Sequence, residues 1–285
     1  MKTLITGAEG QLGRELMKLY PDSVGTSHDQ SKRLYLPLEN LDAIVKLMAN
    51  EEPDLVINCA ALTNVDRCEK EREYAYRVNG LAVRSLAMKC REIGVKLVQI
   101  STDYIFDGTD GNYSEDTPPN PVNYYGLSKL AGEHFAFSGE ENLVVRTSGV
   151  FGYSNNFPLF VYRKLKNGES ISAIKGFYSP IHAENLAKAI KRLIELNERG
   201  IVNIAGERIS RMELALKIAE YFELDSDLIS ESDQVPLLQA KRPFDSSLNI
   251  DRAKGLIDFD FYSTKSNLDA LKRSIQTLGK SYNTR

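Results

Sequence analysis

Lys2-Thr3-Leu4-Ile5-Thr6-Gly7-Ala8-Glu9-Gly10-Gln11-Leu12-Gly13 opens the chain, and its reading decides the fold. Lys2 to Thr6 is a short β-favouring run, and behind the glycines Leu12, Leu16 and Leu19 recur at helical spacing. A strand, a tight glycine turn and a helix start are the parts that cradle a dinucleotide pyrophosphate. Gly7 permits the turn, Gly10 lets backbone approach phosphate, and Gly13 lets the helix pack close. The spacing is Gly-x-x-Gly-x-x-Gly rather than Gly-x-Gly-x-x-Gly, so an ordinary β-turn-α loop is the competing reading. Working outward, strands are expected near 23–27, 54–58, 95–100 and 142–147. Helices are expected over 39–50 and 69–93, the second stopping at Gly94. Such alternation makes a parallel sheet with ligands at the strands' carboxyl ends. The expected fold is α/β: a Rossmann-type doubly wound parallel sheet over 1–150, then a smaller C-terminal substrate-binding lobe over 151–285. In that second part the alternation loosens, with helices near 156–166, 184–196, 210–221 and 264–278, extended runs near 171–174 and 201–204, and an irregular stretch over 226–249. Some of its segments are expected to rejoin the main sheet.

The totals narrow the function classes. The chain has 285 residues, with 36 Lys plus Arg against 39 Asp plus Glu, so no basic excess argues for nucleic acid. No apolar run approaches the roughly 20 residues of a membrane span. The N-terminus enters a strand at once, leaving no room for a signal peptide, and a cytoplasmic protein is expected. Three widely spaced cysteines, Cys59, Cys68 and Cys90, suit a reducing compartment and read as packing residues. No cysteine–histidine grouping has metal-site spacing, so no metal is expected.

The chemistry is carried by 98–133. Ser101 and Thr102 sit at the carboxyl end of an apolar strand, and Tyr125 and Lys129 are four apart in a helical segment, so both project from one face. A hydroxyl, a phenol and an ammonium converging on one point suit ketone reduction: the hydroxyl holds the carbonyl oxygen, the phenol delivers the proton, and the ammonium favours the phenolate. The spacing alone is cheap, since Tyr162 and Lys166 repeat it with nothing nearby to use it. Placement distinguishes Tyr125, which follows a strand-end Ser-Thr in a chain opened by a glycine turn. The proline-rich loop Thr117-Pro118-Pro119-Asn120-Pro121 reads as a stiff wall fixing how Tyr125 enters its helix. Small residues in Cys59-Ala60-Ala61-Leu62-Thr63 would let backbone pass beneath a nicotinamide ribose. Ser27-His28-Asp29-Gln30-Ser31-Lys32-Arg33 places its acid weakly and two cations close behind, which leans towards a 2′-phosphate and NADPH, with NADH the alternative; a solvated surface loop is the bland reading. Asn79 reads either as a functional polar group or as a satisfied helix residue.

The chain resembles the extended short-chain dehydrogenase/reductase superfamily at Thr6 to Gly13, at Asn58-Cys59-Ala60-Ala61-Leu62-Thr63-Asn64-Val65-Asp66, at Ser101-Thr102-Asp103-Tyr104-Ile105-Phe106-Asp107-Gly108 and at Asn123 to Glu133. Within it, the likeness is to the dTDP-4-dehydrorhamnose reductases. The resemblance implies NAD(P)H-dependent reduction of the C4 ketone of a nucleotide-linked 6-deoxyhexose, with Thr102, Tyr125 and Lys129 as catalytic triad. It implies cofactor contacts at Gly7, Gly10, Gln11, Leu12, Gly13, Leu38, Ala60, Ala61, Leu62, Thr63, Tyr125 and Lys129. It implies substrate contacts at Thr63, Val65, Thr102, Asp103 and Tyr104, and at Arg242 in a C-terminal loop. A homodimer is left open. Two departures stand out: Gly149 where the family carries a sugar-facing tryptophan, in a chain with no tryptophan, and Pro37 where an acid often precedes the Leu38 position. The chain also resembles the NADP-binding regulatory subunit of methionine adenosyltransferase, a non-catalytic alternative. A nucleotide-sugar epimerase or dehydratase is the third reading, weakened because dehydratases follow the threonine with Asp-Glu and here Tyr104 follows Asp103.

Overall fold

The computed structural model describes residues 1–29, 31, 33–154, 156–232 and 240–282, with side chains to 277. Lys32, the first cation of the basic pair, lies outside the described residues, as does Gln30.

In chain order the first half contains β1 (Thr3–Thr6), α1 (Gln11–Leu19), β2 (Val24–Ser27), β3 (Leu34–Tyr35), α2 (Leu41–Glu51), β4 (Leu55–Asn58), α3 (Val65–Lys70), α4 (Arg72–Tyr76), α5 (Ala82–Ile93), β5 (Lys96–Thr102), α6 (Tyr124–Ala136) and β6 (Leu143–Thr147). The second half adds β7 (Val150–Phe151), α7 (Phe157–Lys166), β8 (Ile171–Ile174), β9 (Phe177–Tyr178), β10 (Ile181–His182), α8 (Ala183–Glu195), β11 (Gly200–Asn203), β12 (Ile209–Ser210), α9 (Arg211–Phe222), β13 (Ile229–Ser232), α10 (Asp251–Leu256) and α11 (Thr264–Tyr282). Seven strands form one parallel sheet in the order β11-β6-β5-β4-β1-β2-β3. Strand order reverses between β1 and β4, so a crevice opens above their carboxyl ends, where doubly wound sheets bind ligands.

Period two sorts the strand residues onto the two faces. Ile5, Ile57, Val98, Val145 and Val202 enter one core with Leu12 and Leu16 of α1 and Leu186 and Ile190 of α8. Their neighbours Leu4, Val56, Leu97 and Val144 enter the other, with Ile44 and Met48 of α2 and Leu86 of α5. A third core gathers Phe151, Val161, Ile171, Ile218 and Leu271 beyond the sheet's carboxyl edge. Although β11 lies far along the chain, it pairs with β6 from Gly200↔Leu143 to Asn203↔Arg146.

Two expectations change. The helix expected over 69–93 is interrupted at Glu71 and again by a π turn, Arg77–Leu81. The π turn carries the buried Asn79, whose Oδ1 accepts from Leu62 N–H (2.8 Å) and whose Nδ2 donates to Ser128 Oγ (3.0 Å) and to the Leu62 carbonyl. A single extra residue in the turn aims an amide at the loop after β4, a use to which π turns are often put. Within the stretch read as irregular, Ile229–Ser232 forms β13 against β8, because its edge finds free ladder partners there. Ser210 and Glu213 close a capping box on α9.

Candidate active site

A cleft of about 780 Å³ lies over the sheet's switch point. On one side the glycine turn reaches it. Gly7 adopts φ +65°, and a Cβ at Gly13 would stand 2.2 Å from the Gly7 carbonyl oxygen and 2.7 Å from Ala8 Cα, so the turn closes onto α1 only because residue 13 is glycine. The N-cap of α1 is Gly10, and among the described residues no side chain caps the helix's first amides. Those amides, with the positive end of the helix dipole behind them, are free to bind a phosphate. Gly7, Gly10, Gln11, Leu12 and Gly13 all line this wall. Gln11 is also tied across the cleft, its Nε2 donating to the Val150 carbonyl (3.1 Å).

Opposite, Cys59, Ala60, Ala61, Thr63 and Val65 form the edge after β4. The backbone of Leu62 is held by Asn79, while its side chain packs in the core. Leu38 is likewise 6% exposed, within the core beneath β1 and β4. Neither lines the cleft. Ser101 Oγ and Thr147 Oγ1 do, and both are buried polar atoms without a partner among the described residues. A largely apolar cleft with uncapped helix amides at one end and two orphaned hydroxyls within it suits a dinucleotide, whose rings are apolar and whose phosphates and riboses need donors.

The reacting groups sit at the floor. Thr102 ends β5, where its Oγ1 accepts from Tyr104 N–H (3.2 Å), caps the following 3₁₀ turn and donates to Asp103 Oδ1 (3.0 Å). The Tyr125 phenol faces the same cleft floor as the Thr102 hydroxyl. Burial pushes the phenol's pKa well up, the nearby Thr102 hydroxyl opposes this, and Asp103, Cys68 and Tyr104 add to the rise. Tyr125 therefore keeps its proton at neutral pH. The rings of Tyr104 and Tyr125 meet edge-on at 5.8 Å. This approach needs Gly126, where a Cβ would stand 2.0 Å from the Tyr104 carbonyl oxygen.

Lys129, one turn further along α6, is 4% exposed and donates to the Ile100 carbonyl (2.6 Å). Burial drives its pKa down to about 8, against an opposing pull from Glu133. Glu133 is itself buried and paired with Arg146 (2.9 Å), their side chains 1% and 3% exposed. Arg146 also donates to the Glu115 carbonyl (3.1 Å), so one buried pair fixes α6, β6 and the loop before α6. That loop is braced in turn: Asp107 accepts from Tyr113 (2.8 Å), Asn120 (2.9 Å) and Thr109, which holds its carboxyl well below the usual range.

Asp103 differs from an ordinary sugar contact. It is 4% exposed, and its Oδ2 accepts from Ser148 (2.7 Å) and Ser246 (2.6 Å) while Thr102 serves Oδ1. Burial pushes its pKa up, and the three hydroxyls pull it back. Ser148 follows directly on β6, whereas Ser246 is over a hundred residues from Asp103 and no sequence signal marked it. Arg242 does not line the cleft. Its Nη2 pairs with Asp66 (3.1 Å), which also accepts from Ala240 N–H (3.0 Å), joining the C-terminal loop to the start of α3. Gly149 lines the cleft with the Tyr178 ring against it, 3.0 Å from where a Cβ would stand. Of the three cysteines, Cys68 and Cys90 are buried and the half-buried Cys59 lines the cleft.

The whole chain has known relatives. Residues 1–277 match the family described as RmlD substrate binding domain. A hypothetical dTDP-4-dehydrorhamnose reductase from Sulfolobus tokodaii superposes with a TM-score of 0.86 at 48% identity, over 92% of this chain and 97% of that one. The Bacillus anthracis dTDP-4-dehydrorhamnose reductase, solved with NADP, gives 0.86 at 31% identity over 97% and 99%. The dTDP-4-dehydrorhamnose reductase of Aggregatibacter actinomycetemcomitans is 32% identical over 94% of this chain and 98% of its own. Methionine adenosyltransferase 2 subunit beta of Xenopus tropicalis is 28% identical over 87% and 80%. With the glycine turn, the Thr-Tyr-Lys floor and these matches together, the chain belongs to the RmlD family of NAD(P)H-dependent reductases, within the extended short-chain dehydrogenase/reductase fold.

Proposed function

We propose that the protein reduces the C4 ketone of a nucleotide-linked 6-deoxyhexose, with dTDP-4-dehydro-L-rhamnose as substrate, dTDP-L-rhamnose as product and NADPH preferred over NADH. One observation carries the reading: Thr102, Tyr125 and Lys129 line one cleft floor, with the Lys129 ammonium buried a turn beyond the phenol and held by the Ile100 carbonyl. The amides at Gln11 and Leu12 would hold the cofactor's pyrophosphate, and the backbone at Ala60 to Thr63 its ribose. When bound, the reduced nicotinamide supplies the hydride. Tyr125 protonates the developing alkoxide, a contribution of about 10²–10⁴-fold in rate. Thr102 turns its proton from Asp103 to the carbonyl oxygen. That turn leaves Asp103 with Ser148 and Ser246 still donating to it. Lys129 places positive charge beside the phenol and lowers the cost of losing its proton. Residues 151–285 supply most of the sugar-facing lobe, with Val65, Tyr104 and Arg242 at its border, and the enzyme works in the cytoplasm.

The regulatory-subunit reading draws support from the likeness to methionine adenosyltransferase 2 subunit beta, but the complete Thr102, Tyr125 and Lys129 set favours catalysis. Dehydration is disfavoured because Asp103 is enclosed by three hydroxyls and followed by Tyr104, leaving no free acid pair. The test follows NADPH and NADH oxidation with a panel of dTDP-4-keto-6-deoxyhexoses, including the 3,5-epimerised rhamnose precursor. Turnover of that precursor above the others is expected. No oxidation with any sugar, together with recovery of a synthetase partner, would give the site to the regulatory reading.

A further inference from the structure

Beyond the glycine turn the cleft reaches Ser27 and His28 at the end of β2, with Glu9 and Arg14 on its wall. A second cavity of about 470 Å³ is lined by Glu9, Arg14, Met17, Lys18 and Arg33. Between these cavities the Glu9 carboxylate is held at both oxygens, by Arg33 Nε at 2.6 Å and by Arg14 Nη2 at 3.1 Å. Arg14 Nε also donates to the Glu9 carbonyl (2.9 Å). The end of the second strand of a doubly wound sheet is where the adenosine ribose lies, and an arginine there accommodates a 2′-phosphate. Here two guanidinia stand at that place, already closed on an anion that belongs to the turn itself.

We propose that Glu9 is an internal competitor for the arginine clamp, and that the 2′-phosphate of NADP must displace it, so that Glu9 sets the NADP-to-NAD preference. The proposal rests on reading the cleft as a nicotinamide dinucleotide site. With Glu9 ionised, the three side chains sum to one positive charge facing a phosphate dianion; with residue 9 neutral, they sum to two. Because all three side chains are partly exposed, the field is that of a high-dielectric surface. One added charge at contact range is then worth roughly tenfold in affinity at low salt, and less at physiological ionic strength. NAD, with a bare ribose, does not enter the clamp and gains nothing.

Binding calorimetry with NADP⁺ and NAD⁺, without turnover, tests this on the whole chain. Glu9→Gln is expected to tighten NADP⁺ by about tenfold at low salt, shrinking as salt rises, and to leave NAD⁺ within about twofold. Glu9→Ala read the same way guards against a defect peculiar to glutamine. Arg33→Gln should weaken NADP⁺ alone, and adding it to Glu9→Gln should erase most of the gain, as coupled partners require. Unchanged or weaker NADP⁺ binding in both Glu9 variants overturns the clamp, as does an equal gain for both dinucleotides, while the cofactor reading survives either result. If the parent protein binds neither dinucleotide, the cofactor reading falls and takes the clamp with it.

Discussion

Replacing Lys129 with methionine should make the protein more stable while disabling it, and the gain should depend on pH. In the unfolded chain the ammonium holds its proton to its ordinary 10.5; folded, burial lowers this to about 8. Keeping it charged inside therefore costs about 3 kcal/mol. Between pH 8 and 10.5 the unfolded chain binds more protons than the folded one, so this group makes stability rise with pH across that window. Below pH 8 the cost is present in full. Methionine keeps the length and the apolar stem but has no charge to desolvate. The Ile100 carbonyl loses the Lys129 donor yet keeps Gln99 Nε2 at 2.7 Å, and Glu133 keeps Arg146. The secondary losses should then stay at about 1 kcal/mol or less, leaving Lys129→Met about 2 kcal/mol more stable at pH 7. Urea unfolding of both proteins from pH 6.5 to 10.5 reads this directly, the remaining titrations largely cancelling in the difference. A variant no more stable than its parent at pH 7, or a gap that stays constant to pH 10.5, would refute the reasoning.

Other outcomes follow from the same site. Tyr125→Phe should lose about 10²–10⁴-fold in kcat yet bind NADPH nearly as well as the parent; near-parental turnover would remove Tyr125 as the proton donor. Glu133→Gln leaves Arg146 charged and unpaired inside the protein, so urea unfolding should register a loss of about 3–5 kcal/mol; a loss under 1 kcal/mol would mean that water or another acceptor reaches the guanidinium. Gly13→Ala forces a Cβ to within 2.2 Å of the Gly7 carbonyl oxygen, and the turn must open. Dinucleotide affinity in calorimetry should drop well over tenfold, whereas an unchanged Kd would show that the turn tolerates the shift.

What was legible in the chain was whatever repeats at short range. Alternating apolar residues such as Leu4 and Ile5 or Val56 and Ile57 sort onto two faces because a strand has a period of two, and the glycines at 7 and 13 mark a turn because only they fit it. Tyr125 and Lys129 were readable as one face of one helix. Tertiary structure alone decided what distant segments do to these groups. Ser246 reaches Asp103 from the far end of the chain, Asp66 takes Arg242, and Glu9 in the first turn closes on an arginine beyond the second strand. Asn79 could not be assigned from spacing because its role depends on a π turn that aims it at Leu62. The physical reason is common to all of these: backbone periodicity is a local property written into neighbouring residues, whereas the charge, hydrogen bonding and desolvation of a side chain depend on what folding packs against it.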